Sequence, residues 1–466
     1  MTVAEATPDL EQVDRNDRAF LGHPKGLGYL GFTEGCERFS YYSMQTLLTL
    51  YMVNYLLVPG RMDKVIGLNW LQAHIYHGIS GQPLASAIFG TYTALVYLTP
   101  IFGGIIADRW LGRNLTLIVG GVLMAIGHFL MAIESAFVFA LLALLLGVGA
   151  FKGNIATQVG ALYRANDLRR AMAFQIFYIF INVSVIVAPL ISGTLGQKVG
   201  WHYGFGCAGV VMVLGLLIYL SGRRYLPAEE LAAPAEEPSV REPLTRDDWM
   251  CVLYLIILIP VMAVSLLTNQ EIFNAYLVWG DQHFDLTLLD NTSSWLITVD
   301  AAVSFTMLVA VAAFWKWWGL KRREPDELGK MIIGSVFTIA GGLCLFMAAL
   351  TEPAGGKISL FWPMMFELCN SIGFAHVLPI SLALFSKISP KQITSTVIGL
   401  YYLSFFIANA VVGYVGGLYS SLPTTTFWLI HVASAAFGLV AFAVFKVVLG
   451  KRMAGTGVRE QAEALS

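Results

Sequence analysis

Apolar residues along this chain come in long blocks separated by short polar breaks. Runs of about 20 apolar residues, the length a helix needs to cross a hydrocarbon core, lie near 27–57, 85–107, 115–133, 136–160, 171–194 and 203–221. They resume near 248–276, 293–318, 331–350, 360–386, 393–418 and 424–449. The pattern predicts an all-α membrane protein with about 12 transmembrane helices in two six-helix bundles. One long polar stretch, 223–247, is rich in Pro, Ala and Glu and reads as a linker between the bundles. The expected organisation is a tail (1–26), a first bundle (27–222), the linker (223–247), a second bundle (248–449) and a closing tail (450–466). The seventh run is the least regular, because Asn269, Gln270 and Glu271 interrupt it.

Composition points to the same solvent. The chain is 57% hydrophobic and 13% charged, against roughly a quarter charged in soluble proteins. Its 45 glycines suit the close helix contacts found in lipid. A net charge of -1 leaves no basic excess for a nucleic-acid partner. No nucleophile–base triad and no phosphate-cradling loop appears, so an enzyme is not expected. Five scattered cysteines read as small buried hydrophobes, and His74 with His77 lacks a third ligand, so no metal and no cofactor is called for. The first 26 residues mix acids and bases, unlike a secretory signal. With the N-terminus inside, Arg61, Lys64, Lys198 and Lys357 fall outside, while Arg38 and Lys152 lie within spans. The other 23 of the 29 basic residues are then cytoplasmic, as the positive-inside rule requires. A monomer is expected, multi-pass in the plasma (inner) membrane, with both termini cytoplasmic.

Charges inside the spans change the picture from a membrane protein to a working one. Glu34, Glu37, Arg38, Lys152, Glu271, Asp300 and Glu367 all fall in predicted spans. Each costs at least about 2.5–3.5 kcal/mol at a bilayer centre, so each is a functional candidate. The densest group is T-E-G-C-E-R-F-S-Y-Y on span 1. Glu34, Glu37, Arg38, Tyr41 and Tyr42 follow the i, i+3, i+4, i+7, i+8 spacing that places them on one helix face. Lipid cannot receive that face, so it lines a polar cavity. Two carboxylates beside one guanidinium can share its charge while one of them takes up a proton, which is the chemistry of a proton-coupled carrier. The seven sum to -3, an excess that a dry cavity resists, so some carboxylates should hold protons during part of a cycle. His128 and His376 also lie in spans and read as hydrogen-bonded packing residues.

The loop G-I-I-A-D-R-W-L-G-R after span 2 has a basic, glycine-containing counterpart, W-G-L-K-R-R-E-P, after span 8, as related repeats would have. Its G-x-x-x-D-R-x-x-G-R order resembles the major facilitator superfamily. Span 1 carries E-x-x-E-R-F-x-Y-Y, through Glu34, Glu37, Arg38, Phe39, Tyr41 and Tyr42. Span 4 carries G-V-G-A-F-K-G-N, span 5 F-Y-I-F-I-N and span 10 F-E-L-C-N-S-I-G, followed by S-K-I-S-P and G-L-Y-Y-L-S. In this order, from residue 20 to about 417, the segments resemble the proton-dependent oligopeptide transporter family. The resemblance implies a major facilitator fold and proton-coupled symport of di- and tripeptides into the cell by alternating access. It implies that Arg38 and Lys152 hold the peptide carboxylate, and that Asn182 and Glu367 hold its ammonium. Tyr42 and Tyr97 would touch the peptide, and Glu34, Glu37, Arg38 and Lys152 would couple protons. Such a charge clamp measures the termini of a zwitterion and leaves the side chains free to vary.

Departures from the family pattern qualify that expectation. The linker is too short for two extra helices found in most bacterial members. Asp300-Ala301 stands where an Asn-Pro pair is usual, Gly153 replaces a proline, and Tyr401 takes the place of a tryptophan on span 11, where it would be a substrate-binding residue. A span 2 histidine used by some members has no match, so Glu, Asp and Lys would carry the proton. Asp300 and Glu367 each lie seven residues inside the start of a descending run, so they are expected at one depth, sharing a site with the ammonium. Gln45, seven residues beyond Arg38, replaces a basic residue that in the family often closes an outer gate onto span 7. A Gln45–Glu271 hydrogen bond is expected instead. A carrier of another anionic or amino-acid-like solute, or a proton/drug antiporter on the same fold, remains open.

Overall fold

The computed structural model describes residues 17–164, 167–227 and 244–463. The start of the N-terminal tail, most of the linker and the last three residues lie outside the described residues. Span 1 is Lys25–Tyr51, span 2 Gly81–Ile106, span 3 Arg113–Leu130, span 4 Phe137–Ala161, span 5 Arg169–Ala188 and span 6 Trp201–Gly222. Span 7 comes in pieces, described below. Span 8 is Trp295–Gly319, span 9 Glu327–Leu350 and span 10 Phe361–Ile388. Span 11 is split into Thr394–Tyr401 and Leu403–Gly417, and span 12 is the helix Thr424–Glu463. Among the described residues, 11 helices are long and apolar enough to cross a membrane. Span 1 completes the set: it is 27 residues long, but Glu34, Glu37 and Arg38 lower its hydropathy. The fold is that of an all-α membrane protein with two bundles of six spans.

Span 7 explains its own irregular sequence. It opens at Thr245, whose hydroxyl accepts the Asp248 N–H while the Asp248 carboxylate accepts the Thr245 N–H. This reciprocal cap starts the helix Arg246–Ser265. The chain then breaks into Leu267–Gln270, a 3-10 turn at Glu271–Phe273 and a second helix, Ala275–His283. A broken helix in lipid leaves backbone N–H groups that need new acceptors. Glu271 Oε1 supplies one, accepting the Ala275 N–H at 3.1 Å and the Asn274 side-chain amide at 2.9 Å. The polar residues that interrupt the apolar run are therefore what the break requires.

Packing divides the chain into two compact units: Met1–Met44 with Thr99–Glu237, and Gln45–Leu98 with Pro238–Ser466. The divisions fall inside spans 1 and 2, so residues 45–98 pack with the later helices. In the first unit, hydroxyls staple span 1 to its neighbours. Thr33 donates to Gly215 O, Ser40 to Ala208 O, and Ser184 to Gly35 O. Ahead of span 1, Asp17 accepts the Lys25 and Ala19 N–H groups, both at 2.9 Å. Those bonds, the Lys25 one first, hold its carboxyl below the ordinary aspartate value. In the second unit, Gly90 of span 2 meets Gly413 of span 11 backbone to backbone. A Cβ added to Gly90 would lie 2.3 Å from the Gly413 Cα, so neither helix tolerates a side chain there. Thr49 donates to Phe273 O at 3.2 Å, and Asn54 to Asp281 at 3.0 Å.

Candidate functional site

The first unit gathers two acids and two bases. Glu34, Glu37 and Arg38 are buried on span 1. Helical spacing sets Glu34 one turn from Arg38, and Arg38 Nε reaches Glu34 Oε1 at 3.1 Å while also binding Glu37 Oε2. The guanidinium lies 5.4 Å from the Tyr41 ring centre, and Tyr42 meets Tyr41 edge-on at 5.2 Å. Lys152 of span 4 lies within the electrostatic reach of Glu34, Glu37 and Arg38. The four formal charges cancel. Glu34 Oε2, Glu37 Oε1 and one Arg38 amino group have no hydrogen-bond partner, so the cluster retains both donor and acceptor capacity. Asn182 of span 5 turns its amide onto Tyr178 O at 2.8 Å, within its own helix.

The second unit gathers in-span acids that, among the described residues, pair with no lysine or arginine. Glu367 and Glu271 are fully buried. Asp300 and the Tyr276 hydroxyl both lie close to Glu367, with Ser304 beside Asp300. Ser304 in turn meets Ser371 at 2.9 Å. Neither oxygen of Glu367 meets a donor with hydrogen-bond geometry. Two facing carboxyls cannot both be charged cheaply in a dry site, and a shared proton turns one of them into the missing donor. Glu271 stands in the span 7 break, with His431 of span 12 as its basic neighbour at 3.6 Å. The three in-span acids of this unit carry the whole -3 expected from the sequence, since the first unit is balanced.

Several candidates sit differently from expectation. Gln45 is buried, and its carboxamide oxygen has no partner. Glu271 binds Asn274 and Ala275 instead, so the expected Gln45–Glu271 bond does not form: the broken backbone beside Glu271 supplies nearer donors. Tyr401 is only 2% exposed, packed among Leu255, Phe385 and Phe405, with its hydroxyl on Ser381 at 3.0 Å and near Leu378 O. That places it in the hydrophobic core of the second unit. Tyr97 stacks on Phe405 at 5.0 Å. His376 is a packing residue: its Nδ1 donates to Ile372 O and its Nε2 accepts from Trp315. His128 is buried with neither ring nitrogen bonded. Sequence reading passed over Tyr276 and His431. Their one signal was a titratable ring inside an apolar run, which does not name a partner.

Long apolar helices enclosing buried acids and bases define a multi-pass membrane protein with two polar centres. Residues 38–412 match the model of the Major Facilitator Superfamily. The peptide transporter YePEPT of Yersinia enterocolitica is 28% identical over 476 residues, covering 86% of this chain and 89% of that protein. A di-/tripeptide transporter of Lactococcus lactis is 27% identical over 508 residues, covering 94% and 99%. A crystal structure of the peptide transporter POT in complex with sulfate shares the fold with a TM-score of 0.80 at 25% identity, covering 96% of this chain and 99% of that one. The chain belongs to the Major Facilitator Superfamily and, within it, to the proton-dependent oligopeptide transporters.

Proposed function

We propose that the protein is a proton-coupled symporter importing di- and tripeptides by alternating access. The observation that carries this reading is the separation of charge between the two units. Arg38 and Lys152 offer cations to a peptide carboxylate in the first. Glu367 and Asp300 offer acids to an ammonium group in the second. A carboxylate arriving beside Arg38 and Lys152 upsets a balanced cluster, and Glu34 or Glu37 restores neutrality by taking up a proton. An ammonium group arriving beside Glu367 replaces a proton that the acids hold there. Relatives that carry peptides support the substrate class. In this reading the chain works as a monomer in the inner membrane with both termini cytoplasmic, and 27–222 and 248–449 are the rocking bundles. The residues we assign to coupling are Glu34, Glu37, Arg38 and Lys152. Peptide contacts fall to Arg38, Tyr42, Tyr97, Lys152, Asn182, Asp300 and Glu367.

The test is uptake of a labelled dipeptide into proteoliposomes with an inwardly directed proton gradient. We expect accumulation that collapses to equilibration when an ionophore dissipates the gradient. Equal uptake in both conditions would overturn the coupling. Uptake of an amino acid or organic anion but of no peptide would overturn the substrate.

A further inference from the structure

The turn between spans 8 and 9 spends its acids and keeps its bases. Residues 315–330 read W-K-W-W-G-L-K-R-R-E-P-D-E-L-G-K, with five basic residues and three acids. Each acid already has a partner. Glu324 binds Lys330, Asp326 binds Lys446 of span 12 at 2.7 Å, and Glu327 binds Lys387 of span 10 at 2.8 Å. Two of those three partners come from outside the turn. Lys316, Lys321, Arg322 and Arg323 are therefore left over, all four exposed and, among the described residues, none paired with a carboxylate. Three of them are consecutive, and adjacent like charges repel until an anion offsets them.

The leftover cations rest on an aromatic platform. The Lys321 ammonium lies 4.8 Å from the Trp317 ring centre, and the Arg322 guanidinium lies 5.0 Å from that of Trp318. Phe314, Trp315, Trp317 and Trp318 pack on one another with ring centres 5.1 to 6.5 Å apart. Trp315 anchors the group, because its indole N–H donates to His376 of span 10. The outer members stay uncovered: Trp317 is 50% exposed and Leu320 80%. Cations held over indole faces sit at the level of the rings, the boundary between hydrocarbon and headgroups. The counterpart turn after span 2 is the control within the chain. It also exposes a tryptophan, Trp110, but Arg113 pairs with Asp108 at 3.5 Å. Among the described residues it offers one unpaired cation, Arg109, in place of four.

We propose that the turn between spans 8 and 9 is a binding site for an anionic phospholipid. Lys321, Arg322 and Arg323 receive the headgroup phosphate, and the acyl chains lie along Trp317, Leu320 and Phe314. A free phosphate would satisfy the cations and leave the exposed apolar residues beside them without an occupant, whereas a lipid fills both halves. On the topology proposed above the turn is cytoplasmic, facing the leaflet that carries anionic lipid. Trp315 joins the site to span 10 through His376, so a bound lipid steadies the ends of spans 8, 9 and 10 together. The assignment is independent of what the chain transports.

The test is native mass spectrometry of the full chain in detergent, titrated with dioleoylphosphatidylglycerol, dioleoylphosphatidylcholine or inorganic phosphate. The first phosphatidylglycerol should bind about 30-fold more tightly than phosphatidylcholine, the factor that two cations near an anionic surface supply. Lys321→Gln with Arg322→Gln should remove most of that preference. Arg223→Gln with Arg224→Gln takes the same charge from the exposed turn after span 6 and should leave the preference intact. Trp317→Ala should weaken both lipids alike, and inorganic phosphate should not displace the bound lipid. All of these positions are exposed except the half-covered Trp317, so the fold is spared. No preference in the parent, or an equal loss in the two double variants, would overturn the proposal. So would undiminished lipid affinity in Trp317→Ala, or displacement of phosphatidylglycerol by inorganic phosphate, which would mark a free-anion site.

Discussion

The two units solve the same electrostatic problem in different ways. In the first, Glu34 and Glu37 face Arg38 and Lys152, so fixed cations neutralise fixed acids. In the second, Asp300 and Glu367 face each other and a tyrosine, while Glu271 faces a histidine, and the balance falls to protons. A fixed cation cannot leave, so the first centre binds a proton only when a ligand brings new negative charge. A proton can leave, so the second centre exchanges one whenever a cationic group arrives or the site is wetted. The contrast gives each centre its own part in a symport cycle, and each part can be broken separately.

The largest effect is expected at Glu37. Gln keeps a carbonyl oxygen for Arg38 but cannot take up a proton. Glu37→Gln should therefore lower gradient-driven uptake by about 100-fold or more, the loss expected when one member of a buried pair stops working. Exchange of labelled for unlabelled peptide should persist within a few-fold, since the cluster becomes more cationic and still suits a carboxylate. Survival of both activities in the proteoliposome assay would take Glu37 off the proton path.

A smaller effect is expected in the second unit. Asp300→Asn removes one of two facing acids and leaves Glu367 without a competitor, so transport should continue with its pH optimum moved downward. Glu367→Gln should instead weaken binding of peptides with a free amino terminus by about 10-fold or more, roughly 1.4 kcal/mol, while barely affecting N-acetylated ones. An unchanged pH profile for the first variant, with normal selectivity for the second, would show that this pair does not meet the ammonium group.

What could be read in the sequence follows from how local each feature is. The Glu34–Arg38 pair was legible because i, i+4 spacing on one helix dictates the contact. Asp300 and Glu367 were legible by counting residues from the start of two descending spans. That the Gln45–Glu271 bond does not form was not legible, because an interrupted apolar run does not reveal which donors the break frees beside Glu271. The break at Ser265–Ala275 turns Glu271 toward Asn274, Ala275 and His431 instead. His431 lies in an apolar run whose periodicity says nothing of a partner on span 7. Tyr401 and Tyr402 look equivalent as a dipeptide, yet span 11 is interrupted between them, leaving Tyr401 buried and Tyr402 44% exposed. Tertiary packing, not spacing, makes that choice.

The central claim is that the second unit, and not the first, holds protons when no peptide is bound. Infrared spectroscopy of the ligand-free protein at neutral pH reads this directly through the carbonyl stretch of protonated carboxyl groups. Such a band should be present in the parent chain. It should weaken in Asp300→Asn and Glu367→Gln, and remain in Glu34→Gln and Glu37→Gln. A band that disappears with the span 1 substitutions and survives those in spans 8 and 10 would contradict the account.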